Sequence, residues 1–420
     1  MYQHTTLSNG LRIVCETMKD VHSVSIGIWV GSGSRYEDPT YSGISHFVEH
    51  MLFKGTGKRT AKQIAEEIDA VGGQLNAFTT KEYTCFYAKL LSQHFDFGVD
   101  LLSDMVTNST CTTADLEKEK LVILEEIKSF EDSPDEIIHD LLANEVLKGH
   151  PLGRVILGTP ETVQRIDRKI LLTYLKHNYT ADNIVFAVAG NVQFSQVVAA
   201  VEEHLACLNG KTVRDLPILP NLDASIIIRA KDTEQVHICL GTRGVERKNS
   251  DKFGVFVLDS ILGGSVSSRL FQQLREERGL VYATGSSHAA YLDTGIFTIY
   301  AGTSYKNFEQ VVVLIKTELG KLCQEKIVSN ELHRAKEQLK GNLLLSLENS
   351  CNRMSRIAKN ELFRDRLLSP DQIVEQIEMV TSEDLLRIAQ NLFSKEQVVL
   401  AALGPFESDS AWLRKEYRDY

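Results

Sequence analysis

No run among the 420 residues approaches the roughly 20 consecutive apolar positions that a helix needs to cross a bilayer, so no membrane span is expected. Proline is scarce, at 8 residues, and the 27 glycines follow no period, which excludes collagen-like and low-complexity classes. The seven cysteines (Cys15, Cys85, Cys111, Cys207, Cys239, Cys323 and Cys351) are odd in number, far apart, and without a Cys-x-x-Cys pair. That spacing argues against a disulfide framework and against thiolate metal sites, leaving reduced and mostly buried thiols. Blocks of positive charge are missing too: the formal net charge is −10, and a nucleic-acid partner would need a cationic surface. The opening MYQHTTLSNGLRIV has neither the basic start and apolar core of a secretion signal nor the Arg-rich amphipathic character of a transit peptide, so a cytoplasmic location is expected.

What is present is a globular composition, 43% hydrophobic and 24% charged, in a chain long enough for two to four compact units. Self-similarity decides between these. Val24-Ser-Ile-Gly-Ile-Trp-Val, an alternating strand followed by loop and helix, recurs as Val236-His-Ile-Cys-Leu-Gly-Thr, half a chain later. LLTYLKHNYTADNIVFAVAGNV, from Leu171, is matched at nearly the same offset by LLRIAQNLFSKEQVVLAALGPF, from Leu385. Between the copies, residues 209–225 hold two prolines and no helical period. The expectation is an α+β chain of two homologous α/β sandwich domains produced by internal duplication, residues 1–212 and 223–420, with a linker at 213–222. Each should carry an antiparallel-rich sheet packed with helices on one face.

The chemistry concentrates in GISHFVEHMLFKGT. Ile44, Val48 and Leu52 repeat with helical period, and Thr40 or Ser42 can cap the start. On such a helix His46, Glu49 and His50 fall within about 100° of arc, so two imidazoles can hold one metal while a carboxylate stands beside it. This is the H-x-x-E-H order of a metallopeptidase helix; the bland alternative is a solvated face. A catalytic zinc needs a third ligand from another element. The segment TTADLEKEKLVILEEIKSF reads as a helix capped by Thr112 or Thr113, with Leu116, Ile123, Ile127 and Phe130 as its apolar stripe. Glu119 and Glu126 lie along that stripe's edge, whereas Glu117 and Glu125 point away. A carboxylate turned toward a core needs a partner, and a divalent ion is one. Glu126 is therefore the candidate third ligand and Glu119 a partner for His50; an ordinary boundary Glu bonded to Arg or Lys is the competing reading.

These residues resemble the pitrilysin/insulinase metallopeptidases, most closely bacterial relatives of the mitochondrial processing peptidase β subunit. The resemblance runs through HFVEH, LNAFTTKEYTCFYAKLL, EKEKLVILEEI and LREERGLVYATGSS, essentially the whole chain. It implies one zinc ion per subunit, held by His46, His50 and Glu126, the last of which follows His50 by seventy-six positions as the family pattern requires. Glu49 would be the general base, and Glu119 matches the family's additional Glu. The second copy reads FGVFVLDSILGG where the metal helix should be, and cannot bind metal; it keeps Arg275 and Tyr282, which the resemblance assigns to the substrate carbonyl and the oxyanion.

Asn76, Ala77 and Phe78, with Thr79, resemble an edge strand that pairs with extended peptide substrates, although pattern alone also allows an interior strand. Glu136 and Asp140, four apart on one helix face, match positions that contact an arginine near the cleaved bond, or else form a solvated acidic face. The resemblance further implies a homodimer in which each zinc faces the partner's Arg and Tyr, and an enclosed chamber. The alternatives are a non-catalytic scaffold subunit of the same fold and a general oligopeptidase.

Overall fold

The computed structural model describes residues 1–406 apart from Asp215 and Lys395. Six strands form the first sheet: β1 (Tyr2–Thr6), β2 (Arg12–Thr17), β3 (Ser23–Val30), β4 (Gln74–Thr79), β5 (Thr84–Leu91) and β6 (Ile184–Gly190), in the order β1-β2-β6-β3-β5-β4. Five form the second: β7 (Ser225–Ala230), β8 (Val236–Gly244), β9 (Val281–Ala290), β10 (Gly295–Thr303) and β11 (Val399–Gly404), in the order β7-β11-β8-β10-β9. Neighbours are antiparallel except β2–β6 and β7–β11, which are parallel. Removing β1 makes the two orders equivalent strand for strand. The repeated segments occupy β3 and β8, each followed by a helix (Ile44–Leu52 and Lys252–Leu262), and β6 and β11, each preceded by one (Arg168–Asn178 and Ser382–Leu392).

The expectation of sheets covered on one face is corrected by the structure. In β6 and β11 every residue is buried, an unbroken apolar run that only a sheet covered on both sides can accommodate. On one face of the first sheet, Ile26, Ile28, Phe86 and Phe186 pack with Phe47 and Met51 of the Ile44–Leu52 helix and with Val99, Leu102, Val197 and Val201. On the other, Val14, Trp29, Cys85, Val185 and Ala187 meet Met354, Ile357 and Ala358 of the Ser350–Leu362 helix. The second sheet is treated likewise, with Ile238, Leu240, Phe297 and Leu400 against Val257 and Leu258 on one side. Its other side sets Cys239, Val399, Ala401 and Leu403 against Ile137, Ile138 and Leu142 of the Pro134–Val146 helix.

The extra covers come from the opposite half of the sequence. Among the described residues, one compact unit comprises Met1–Lys128, Arg154–Pro217 and Leu345–Leu367; the other comprises Ser129–Gly153, Ile218–Leu344 and 368–406. The packing units are thus interleaved, where the sequence suggested the contiguous ranges 1–212 and 223–420. Among the described residues, no helix is long and apolar enough to cross a membrane.

Candidate metal centre

The site helix, Ile44–Leu52, starts at Gly43, whose φ of +96° a residue with a side chain would adopt only with strain. A Cβ at Gly43 would also lie 2.5 Å from the Leu157 carbonyl. A side-chain cap from Thr40 or Ser42, as the sequence suggested, is therefore replaced by one from farther upstream. Buried Glu37 accepts the Gly43 N–H through Oε2 and the Ser45 N–H through Oε1, both at 2.8 Å. Burial raises the pKa of Glu37, against the lowering effect of these bonds.

The helix buries Ile44, Phe47, Val48, Met51 and Leu52, turns His46 and His50 toward the long helix Thr113–Glu131, and bonds Glu49 to Thr79 of β4. Thr112 caps that helix by accepting the Asp115 N–H at 3.1 Å. Its buried positions are Leu116, Glu119, Ile123 and Ile127, while Glu117 and Glu125 are exposed and pair with Lys120 and Lys128. Phe130, placed in the stripe by sequence, is half-buried.

Glu126 spans both imidazoles, with Oε1 3.6 Å from His46 Nε2 and Oε2 3.5 Å from His50 Nε2. One donor atom from each of the three lies within 4.8 Å of the others, and no other such group occurs among the described residues. A tetrahedral zinc with bonds of about 2.0–2.2 Å has ligand-to-ligand edges of roughly 3.3–3.6 Å, so this donor set fits the ion.

The electrostatics agree with that fit. His46 is held neutral, its pKa pushed down to about 4 by burial and by neighbouring His50, with Glu126 opposing. Burial alone would lower His50 as well, but the carboxylates of Glu126 and Glu119 outweigh it and raise the pKa. Glu126 is lowered, chiefly by its bond with His50. Glu119, 5% exposed, bonds His50 Nδ1 through Oε2 (3.1 Å) and pairs with Lys54 Nζ through Oε1 (2.7 Å). Glu49 accepts from Thr79 Oγ1 at 2.5 Å, and burial raises its pKa. Three carboxylates and one ammonium thus surround two imidazoles, an excess of negative charge that a dication would offset.

Lys54 was not singled out by sequence, and Thr79 was named there only as part of the strand after Asn76, not as a partner of Glu49. Thr79 closes β4, and its register opposite Thr84 at the sheet's edge aims its hydroxyl at Glu49. Asn76, Ala77 and Phe78 also lie on β4, which among the described residues pairs only with β5 and is an edge strand.

The remaining candidates belong to the second unit. Arg275 is exposed, and its guanidinium carbon lies 4.9 Å from the Phe271 ring centre and 5.6 Å from that of Tyr282, a ring exposed to 77%. Glu136 and Asp140 share a face of the Pro134–Val146 helix; Glu136 is exposed and Asp140 half-buried.

The family model described as Insulinase (Peptidase family M16) matches residues 12–160, the segment that holds this entire cluster. A second model, described as the Peptidase M16 inactive domain, matches residues 165–339. The chain belongs to peptidase family M16. Among M16 relatives, the uncharacterized zinc protease YmxG of Bacillus subtilis is 44% identical over 405 residues, covering 96% of this chain and 98% of that protein. An uncharacterized zinc protease of Mycobacterium leprae is 39% identical over 412 residues, covering 96% and 92%. A protease from Helicobacter pylori shares the fold, with a TM-score of 0.90 at 23% identity, covering 96% of this chain and 99% of that one. A structure from Pseudomonas fluorescens, titled as a peptidase M16 inactive domain, gives 0.91 at 19% identity, covering 98% and 99%.

Proposed function

We propose that this M16 chain is a zinc-dependent endopeptidase that cleaves extended peptides. The observation that carries the reading is the convergence of His46, His50 and Glu126 within 4.8 Å, with Glu49 beside them and not among them. Relatives that match nearly the full chain are named zinc proteases, which supports zinc as the metal. When bound, zinc would lower the pKa of a water molecule toward neutrality and polarise the scissile carbonyl.

The chain's own groups do the rest. Glu49, its pKa raised by burial, takes a proton from the attacking water and returns one to the leaving amine. The Thr79 hydroxyl holds that carboxylate in place and ties it to the end of β4. A substrate strand adding to β4 along Asn76, Ala77 and Phe78 would be bound through its main chain, so extended shape would matter more than sequence. From the second unit, Arg275 and Tyr282 would engage the substrate carbonyl, and in a homodimer would act on the partner's site. The acidic pair Glu136 and Asp140 would favour arginine near the cleaved bond, as in processing peptidases. The scaffold reading is disfavoured because ligands and base are all present in one cluster.

Glu49→Gln is expected to bind one zinc per subunit like the wild type and to lose nearly all turnover, measured by metal analysis and peptide-library cleavage with and without chelator. Wild-type cleavage by that variant would remove Glu49 from the base role, and a wild type without stoichiometric metal would end the zinc reading.

A further inference from the structure

His50 has a side-chain orienter, since Glu119 accepts a hydrogen bond from its Nδ1 at 3.1 Å. His46 has none: its Nδ1 is buried with no hydrogen-bond partner among the described residues. As the third residue of the site helix, His46 can be fixed only by packing and by where the helix begins. That beginning cannot secure itself. Gly43 carries no side chain, and the chain crossing there is too close to admit one: a Cβ at Gly43 would sit 2.5 Å from the Leu157 carbonyl, and one at Gly158 2.2 Å from the Ser42 carbonyl.

We propose that Glu37 is the positioning residue for His46: by binding the Gly43 and Ser45 N–H groups it fixes the start of the site helix, and with it the place of His46 opposite Glu126. The inference rests on the zinc-peptidase reading above and goes beyond it. Glu37 is 4% exposed, and a carboxylate at a helix N-terminus meets both orphan donors and the positive end of the helix dipole.

The loop that carries Glu37 is itself fastened. Ser34 N–H donates to the Thr80 carbonyl (3.2 Å) and Arg35 N–H to that of Lys81 (2.7 Å). The Arg35 guanidinium pairs with Glu82 at 2.7 Å, both side chains buried. Arg154 donates to the Glu37 carbonyl at 3.1 Å. The turn of Thr80, Lys81 and Glu82, which receives the Ser34 and Arg35 bonds, directly follows β4, whose last residue, Thr79, donates to Glu49. The site helix is therefore tied to the end of the edge strand at two points, Glu37 near its start and Glu49 in its middle. Glu37 thereby sets His46 and the edge strand in one frame.

Glu37→Gln tests this in the full chain, because it keeps the shape, retains one acceptor and removes a buried charge. In metal-free protein, amide hydrogen exchange at residues 43–47 should quicken about tenfold while β3 and β6 keep their protection. Zinc affinity, read by chelator competition, should fall about tenfold, and further in Glu37→Ala. At saturating zinc, kcat should fall with KM little changed. A Gln variant that exchanges like wild type at 43–47, or exchanges faster yet binds zinc within twofold of wild type, overturns the proposal. If the wild type itself binds no zinc, the peptidase reading fails separately, and the exchange measurement alone decides whether Glu37 fixes the helix start. Should Glu37→Ala fail to fold, Glu37→Gln still decides.

Discussion

Removing Glu119 should weaken zinc binding without dismantling the fold, and the size of the loss follows from its two contacts. The carboxylate is nearly inaccessible, with 6% of the side chain exposed, and serves His50 Nδ1 at 3.1 Å and Lys54 Nζ at 2.7 Å. A hydrogen bond to a buried charged group contributes about 1.5–3 kcal/mol, and each 1.4 kcal/mol is a factor of ten, so Glu119→Ala should weaken zinc by about 10- to 150-fold. Glu119→Gln keeps a neutral acceptor worth about 1 kcal/mol, so its loss should be smaller, about 2- to 30-fold. Lys54 is a third exposed, and water can rehydrate its ammonium in either variant. Competition with a fluorescent chelator near neutral pH measures the affinity, and thermal unfolding of the metal-free protein checks the fold. A Glu119→Ala protein that folds normally and binds zinc within twofold of wild type would refute the claim that this carboxylate holds His50.

Three further outcomes are expected. Burial raises the pKa of Asp259 from 3.8 to about 6, so its contribution to stability is full below about pH 4 and is lost as pH rises through about 6. The difference amounts to at most about 3 kcal/mol, and Asp259→Asn should raise the unfolding midpoint more at pH 8 than at pH 4.5; equal shifts would contradict this. Met354, 1% exposed, should cost about 2–4 kcal/mol in urea unfolding when changed to Ala, and a cost under about 1 kcal/mol would deny the Ser350–Leu362 helix its place in the first unit's core. Mixing Glu49→Gln subunits with subunits changed at both Arg275 and Tyr282 should restore activity if sites are shared across a homodimer; no recovery despite confirmed mixing argues for sites built within one chain.

The candidate metal cluster was legible because it obeys helical arithmetic. His46, Glu49 and His50 sit at i, i+3 and i+4, and Leu116, Ile123 and Ile127 orient the second helix so that Glu119 and Glu126 fall on its buried edge. Glu37 was not legible, because it reaches the helix start through an irregular loop that follows no period, and Thr40 and Ser42 offered a more local cap. The bond from Thr79 to Glu49 required knowing the register of β4, which no sequence pattern carries. The two-sided burial did leave a signal, since IVFAVAG and VLAALG contain no polar alternation. The helices that supply the second covers lie elsewhere in the sequence, one of them in the opposite half from its sheet in each case, and no local pattern links them.

That interleaving has a consequence for synthesis. His46, His50 and Glu126 have all been translated by residue 126, and all strands of the first sheet by residue 190. The segment Leu345–Leu367, which shields the sheet's outer face, is complete only 150 residues after Pro217. At about 5–20 residues per second, the nascent sheet waits some 8–30 s without the Ser350–Leu362 helix against Trp29 and Val185, an apolar face open to association for that interval.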